Sequence, residues 1–358
     1  GVSLASLSSP PTDSLLGVGK KPSELPKTAA QKRATQEAPS EMLRVLGEAY
    51  HNLGVIEAQR QHYPAAAELF SQASRWQPSI PALDRNWAMA SYRAEKFADA
   101  IPPLRRLLAQ KPADTELREM LGVSYFMTDQ YAAAAEALRP LLDKPPANPG
   151  VLYAMGVSFM KSGSPDLGAQ IFTRMLRANP DVADVHLLLG EAYAEQKAYD
   201  NAQQEFRHAV ELNPRLAGAH LQLALALVRD GKLQEAEQQF REELQNYPAD
   251  VSAKYHLAYV LISEQKMQEA VTLLEEVIRQ SPDHADAHYQ MGRILLEQGD
   301  AAGAVERLET AVRLDPKQYY SFYQLALAYR KLGRTQDAET ALKRFQALKQ
   351  AKRTSPAK

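Results

Sequence analysis

Apolar positions in this chain obey two periods at once. Within short stretches they fall three and four residues apart, which gives each stretch one apolar stripe of a helix. Over longer range the same arrangement returns every 34 residues, marked by Pro78, Pro112, Pro146, Pro180, Pro214, Pro248, Pro282 and Pro316. With each proline at position 32, repeats start at residues 47, 81, 115, 149, 183, 217, 251, 285 and 319, and nine of them reach residue 352. A strict period of this length predicts one small helical unit, copied and stacked.

The repeat alternates side-chain size. Position 7 is large and apolar (Leu53, Trp87, Leu121, Met155, Leu189, Leu223, Leu257, Met291, Leu325), and so is position 24 (Phe70, Leu104, Leu138, Phe172, Phe206, Phe240, Leu274, Leu308, Leu342). Position 8 is always Gly or Ala, from Gly54 to Ala326, and so is position 20, from Ala66 to Ala338. Small residues let two helices approach closely while large ones fill the space beside them. The position-32 proline ends the second helix and opens the next repeat, where spare backbone donors make its missing N–H cheap. Glycine near position 15, at Gly163, Gly231, Gly299 and Gly333, suits the turn between the helices.

This pattern resembles the tetratricopeptide repeat (TPR), whose signature is a bulky residue at 4, Leu at 7, Gly or Ala at 8, Tyr at 11, Ala at 20, Phe at 24, Ala at 27 and Pro at 32. The repeat from 183 carries Leu189, Gly190, Tyr193, Ala202, Phe206, Ala209 and Pro214. The resemblance covers residues 47–352, with departures at position 4 (His186, His220, His288) and at position 11 (Glu57, Ser91). It implies an all-α fold, a right-handed α-solenoid of nine tandem helical hairpins over residues 40–352. It further implies a non-catalytic scaffold without cofactor, whose first helices line a concave groove and meet a partner through positions 2, 5, 9, 12 and 13.

Carried onto this sequence, those positions are apolar and aromatic. The candidate groove holds Phe126, Tyr153, Val157, Met160, Leu187, Leu221, Leu225, Tyr255, Tyr259, Tyr289, Arg293 and Tyr323, joined at position 6 by Gln222, His256, Gln290 and Gln324. Aromatic faces beside adaptable polar groups suit an extended peptide or protein segment. The same tyrosines also suit mutual stacking that stiffens the array. Chaperone-tail adaptors of this family use Lys at position 5 and Asn at positions 6 and 9, and its sugar-transferase arms an asparagine ladder at position 6. Here position 5 never carries Lys, position 9 never carries Asn, and only Asn52 and Asn86 stand at position 6. The alternative role is an accessory or regulatory subunit of a multi-protein complex, such as a secretion or enzyme system, with catalysis on another chain. Self-association through groove or end surfaces is a further reading.

Composition narrows the partners. A net charge of −1 gives no electrostatic footprint for nucleic acid. No apolar run approaches the length of a membrane span. Cysteine is absent, which removes disulfides and thiolate chemistry and suits cytoplasm, periplasm or an extracellular space alike. Residues 17–21, GVGKK, lack the spacing and the Ser/Thr of a phosphate loop. His284 and His288 lack the intervening glutamate of a zinc-peptidase helix, and no third ligand accompanies them, so no metal site is expected.

The ends differ from the middle. Residues 1–39 are rich in Pro, Ser, Thr and Lys without sustained period and read as a disordered arm. From Ser40, an N-cap, helix is expected to run into the first repeat. Past Glu339 the chain is basic, with 353–358 a tail. Position 28, apolar from Leu108 to Val312, becomes Gln346 in the last repeat, as an exposed end requires. Pro64 and Pro165 fall in the first turn of second helices, where proline is tolerated. Pro102, Pro103 and Pro140 fall deeper and predict kinked or late-starting helices in the repeats from 81 and 115.

Overall fold

The computed structural model describes residues 40–354. The arm expected at 1–39, with its GVGKK run, and residues 355–358 of the basic tail lie outside the described residues. Among the described residues there are helices and no strand, in two compact modules divided between Ala198 and Tyr199.

The N-terminal module pairs α1 (Ser40–Gln59) with α2 (Tyr63–Trp76), α3 (Leu83–Arg93) with α4 (Phe97–Gln110), α5 (Thr115–Phe126) with α6 (Tyr131–Leu138), and α7 (Pro149–Lys161) with α8 (Pro165–Ala178), then adds α9 (Ala183–Glu195). The C-terminal module begins with α10 (Tyr199–Leu212). It then pairs α11 (Ala219–Arg229) with α12 (Leu233–Asn246), α13 (Val251–Ser263) with α14 (Met267–Gln280), α15 (Ala285–Glu297) with α16 (Ala301–Leu314), and α17 (Tyr319–Lys331) with α18 (Thr335–Thr354). Within each module every helix also packs on the next.

Position 8 nests directly on position 24 within a hairpin. A Cβ on Gly54 would lie 2.7 Å from Phe70 Cε1, on Gly122 2.3 Å from Leu138 Cγ, on Gly156 2.5 Å from Phe172 Cε1, and on Gly292 2.6 Å from Leu308 Cγ. Phe70, Leu138, Phe172 and Leu308 are fully buried as a result.

The turn that closes the first helix of each repeat has one backbone solution. Position 15 is left-handed in all nine repeats: Gln61, Glu95, Asp129, Gly163, Lys197, Gly231, Gln265, Gly299 and Gly333 have φ between 57° and 91°. The following N–H bonds the carbonyl of position 11, as in His62 to Glu57 (2.9 Å), Gln130 to Tyr125 (2.9 Å) and Lys266 to Leu261 (2.8 Å). This is the Schellman closure of a helix end, and five repeats make it without glycine.

Junctions between repeats have their own ties. The position-4 histidines place Nε2 against the proline carbonyl six residues earlier: His186 to Pro180 (2.8 Å), His220 to Pro214 (3.0 Å) and His288 to Pro282 (3.0 Å). Glu243, buried on α12, accepts from the backbone N–H of Gly218 (2.9 Å) and Leu221 (3.3 Å) and so caps α11. Arg241 bridges Glu237 (2.7 Å) on its own helix and Glu269 (2.6 Å) on α14. Burial pushes the Glu237 carboxyl up, but Lys266 and Arg241 outweigh it and hold it down at about 2.

The helices carrying the out-of-register prolines do not start late, contrary to the sequence expectation. α4 starts on schedule at Phe97 and continues through Pro102 and Pro103 to Gln110. The carbonyls they leave without a helical donor belong to Ala98 and Asp99, both exposed, so water can serve them. α6 also starts on schedule, at Tyr131, but ends early. It gives way at Arg139–Leu141 to a 3₁₀ turn around Pro140, and α7 begins after the Asn148 cap, whose Oδ1 accepts from Gly150 N (2.9 Å).

The two ends contrast. α1 starts two turns before its repeat and exposes Met42, Val45, Leu46, Leu53 and Ile56 along one stripe. Leu53 is 51% exposed although position 7 is buried at Leu121, Met155 and Leu257. On α18, Gln346 is exposed, Phe345 rests against Tyr319 and Tyr323 (centroids 6.1 and 5.3 Å), and Lys349 and Lys352 sit over the Phe345 and Tyr319 rings. No helix of the described residues is long and apolar enough to cross a membrane.

Candidate functional site

In the N-terminal module the candidate groove residues separate into core and surface. Val157 (8% exposed) and Met160 (7%) belong to the core with Phe172, Val185 and Leu189, so both are packing residues and not open groove, contrary to expectation. For Met160 the cause is Gly168, the one glycine at position 20: a Cβ there would lie 2.6 Å from Met160 Cγ, so Met160 fills the space an alanine methyl would take. Phe126 and Tyr153 stay half-buried in edge-to-face contact, centroids 6.2 Å apart, and Leu187 is half-buried on α9. Burial pushes the Tyr153 hydroxyl up, aided by Asp184 and Glu191, and Glu191 itself is raised by burial. An open cleft of about 730 Å³ lies between α4, α5 and α6, but its Arg118 is already engaged by the Pro112 and Ala137 carbonyls.

The C-terminal module is richer. The first helices of its hairpins, α11, α13, α15 and α17, carry Leu221, Tyr255, Tyr289 and Tyr323 at position 5, and Leu225, Tyr259 and Arg293 at position 9. Tyr259 (43%) and Tyr323 (42%) are exposed, while Leu221, Leu225, Tyr255 and Tyr289 are half-buried. Position 6 turns inward: His256 stacks on Phe240 at 6.1 Å with an interplanar angle of 10°, Gln290 is only 5% exposed, and Gln222 and Gln324 are half-buried. Position 6 therefore lies beside the tyrosines and beneath the surface they form.

The tyrosines gather around a residue that the sequence had not singled out. Asp286, in the first turn of α15, accepts from Tyr320 Oη (3.0 Å) and Gln318 Nε2 (2.5 Å) through one carboxylate oxygen. Tyr320 touches Tyr289 (centroids 4.7 Å), and Tyr255 touches His284 (4.6 Å). His284 caps α15, its Nδ1 accepting from Ala287 N at 3.1 Å. Burial pushes the Tyr255 hydroxyl up to about 12, with Asp286 adding to it, and raises Tyr289 and Tyr320 as well; Asp286 contributes to each. The Gln290 Oε1 is buried without a partner. Arg293 pairs with Glu297 (3.7 Å) rather than with Asp286. Asp286 and Tyr320 both stand at position 2, one of the partner-facing positions, so reading that column residue by residue would have found them.

The geometry defines a class: stacked helical hairpins presenting side chains from successive first helices, with no group of three or more His, Cys, Asp or Glu among the described residues arranged to hold a metal. Models of the tetratricopeptide repeat match residues 85–149, 153–217 and 221–285, and again 261–322 and 295–353. The chain belongs to the tetratricopeptide-repeat family. Comparison with curated proteins returns no match. Among solved structures, a chain of the APC/C hetero-tetramer Cut9–Hcn1 is similar over 80% of this chain and 60% of its own, at 14% identity and a TM-score of 0.52. YrrB, a TPR protein with an unusual peptide-binding site, aligns over 50% of this chain and 93% of its own (19% identity, TM-score 0.44). The MamA protein aligns over 49% and 97% (19% identity, TM-score 0.42).

Proposed function

We propose that this chain is a non-catalytic scaffold that holds an extended peptide or protein segment against the tyrosine-bearing face of α11, α13, α15 and α17. As a tetratricopeptide-repeat protein it belongs to a family of protein-interaction scaffolds. The observation that carries the finer reading is the exposure of Tyr259 and Tyr323 at the edge of a column of half-buried tyrosines. Aromatic side chains left in water on successive rigid helices give apolar contact at low entropic cost, and their hydroxyls remain available for hydrogen bonds. An extended partner gains by covering several of them at once.

The test is selection of binders from a random linear decapeptide library displayed on phage, followed by affinity measurement on the full chain. The variant Tyr259→Ala/Tyr323→Ala, altering the exposed pair and sparing Tyr255, Tyr289 and Tyr320, is expected to weaken the selected peptides at least about tenfold with the unfolding midpoint unchanged. Full affinity in that variant refutes this face as the site. Failure to enrich any peptide refutes the reading altogether.

A further inference from the structure

We propose that the side-chain cluster of Tyr255, Asp286, Tyr289, Gln290 and Tyr320 receives an arginine side chain of the bound segment. This rests on the peptide-scaffold reading and narrows it to one contact. Three observations support it. Asp286 makes no ion pair with a lysine or arginine among the described residues, and both donors it has, Gln318 and Tyr320, are neutral and meet the same oxygen. A carboxylate has room for about four donors, so its second oxygen remains open to a cation. The rings beside Asp286 belong to tyrosines, whose faces attract a guanidinium, and Tyr320 is itself exposed.

Gln290 supplies the third observation. Its side chain is more than nine-tenths buried and its Oε1 has no donor. A buried acceptor left unpaired is unfavourable, and a ligand that brings a donor removes the penalty. A guanidinium has five N–H groups in a planar fork, enough to meet Asp286 and Gln290 together while lying flat on a tyrosine ring. An ammonium has fewer donors and no plane to stack. An anionic or purely apolar side chain leaves Asp286 unpaired and Gln290 unsatisfied. The contact involves only α13, α15 and α17 with the Gln318 turn, so it lies within the C-terminal module.

The decapeptide selection, run in parallel on wild type, Asp286→Asn and Asp286→Lys, tests it. Wild type is expected to enrich one arginine position beside apolar positions. Replacing that arginine with neutral, near-isosteric citrulline should weaken binding about tenfold. In Asp286→Asn the arginine preference should vanish while the apolar preferences persist; in Asp286→Lys an acidic residue should replace it. Both variants are checked for an unchanged helical signal, and Asn keeps an acceptor for Gln318 and Tyr320. Enriched peptides without a basic position, or equal affinity for arginine and citrulline peptides, overturn the inference and leave the scaffold reading standing. No enrichment at all overturns both.

Discussion

Replacing Gln265 with glycine should stabilise the protein. Gln265 holds φ at 62° in the turn between α13 and α14 and is exposed. A residue with a Cβ in that conformation costs roughly 1–2 kcal/mol. Glycine removes this but gives back roughly 0.5–1 kcal/mol because it is freer in the unfolded chain. The net gain is about 0.5–1 kcal/mol, visible as a higher urea midpoint at unchanged slope. Gly231, at the same position with φ 74° and nothing within 4 Å of where its Cβ would stand, provides the reciprocal. Gly231→Ala should lose a similar amount through backbone strain alone. A lower midpoint for Gln265→Gly, or an unchanged one for Gly231→Ala, would refute the claim that all nine turns share one closure.

Three other outcomes are expected. Gly156→Ala sets a methyl 2.5 Å from the buried Phe172 ring and should cost roughly 1–3 kcal/mol by overpacking, measured by urea unfolding. Glu243→Ala strips two half-buried N–H groups at the start of α11 of their acceptor and should cost about 1–3 kcal/mol, with amide exchange at Gly218 and Leu221 accelerating. Burial holds His256 and His288 below their ordinary value of 6.5, so the unfolded chain binds protons first as pH falls. Their contribution is complete above that value and declines as pH drops from 6.5 through the folded-state values. The urea midpoint should therefore fall between pH 7 and 5, and the slope should flatten in His256→Gln/His288→Gln.

Much of the fold was legible because size alternation is a direct imprint of packing. Gly122 and Leu138 announce their contact in the sequence, since a larger residue at 122 collides with 138. Backbone conformation leaves a weaker imprint. Position 15 was visible as a turn only where glycine stood, yet Gln61, Glu95, Asp129, Lys197 and Gln265 adopt the same left-handed geometry, which no side chain advertises. Prolines misled for a related reason. Their cost depends on whether the orphaned carbonyls can find water, and Ala98 and Asp99 are exposed, so α4 continues. The site was half legible. The tyrosine column followed from position 5, but Val157 and Met160 looked like groove because the extra space at Gly168 that draws Met160 inward is a property of depth. Asp286 escaped notice because a lone carboxylate in a first turn normally serves its own helix; the ring of tyrosines around it appears only when three helices are brought together.

The shared turn closure makes the hairpins exchangeable parts. Every second helix begins at position 17, two residues after the same left-handed residue and directly after the same N–H to carbonyl bond. Unequal recombination between two such turns would lengthen or shorten the chain by whole 34-residue steps, and each new seam would reproduce an existing one. The junction after α6 is the exception: its 3₁₀ turn at Arg139–Leu141 matches no other boundary, so copies joined through it would inherit a break that the remaining seams lack.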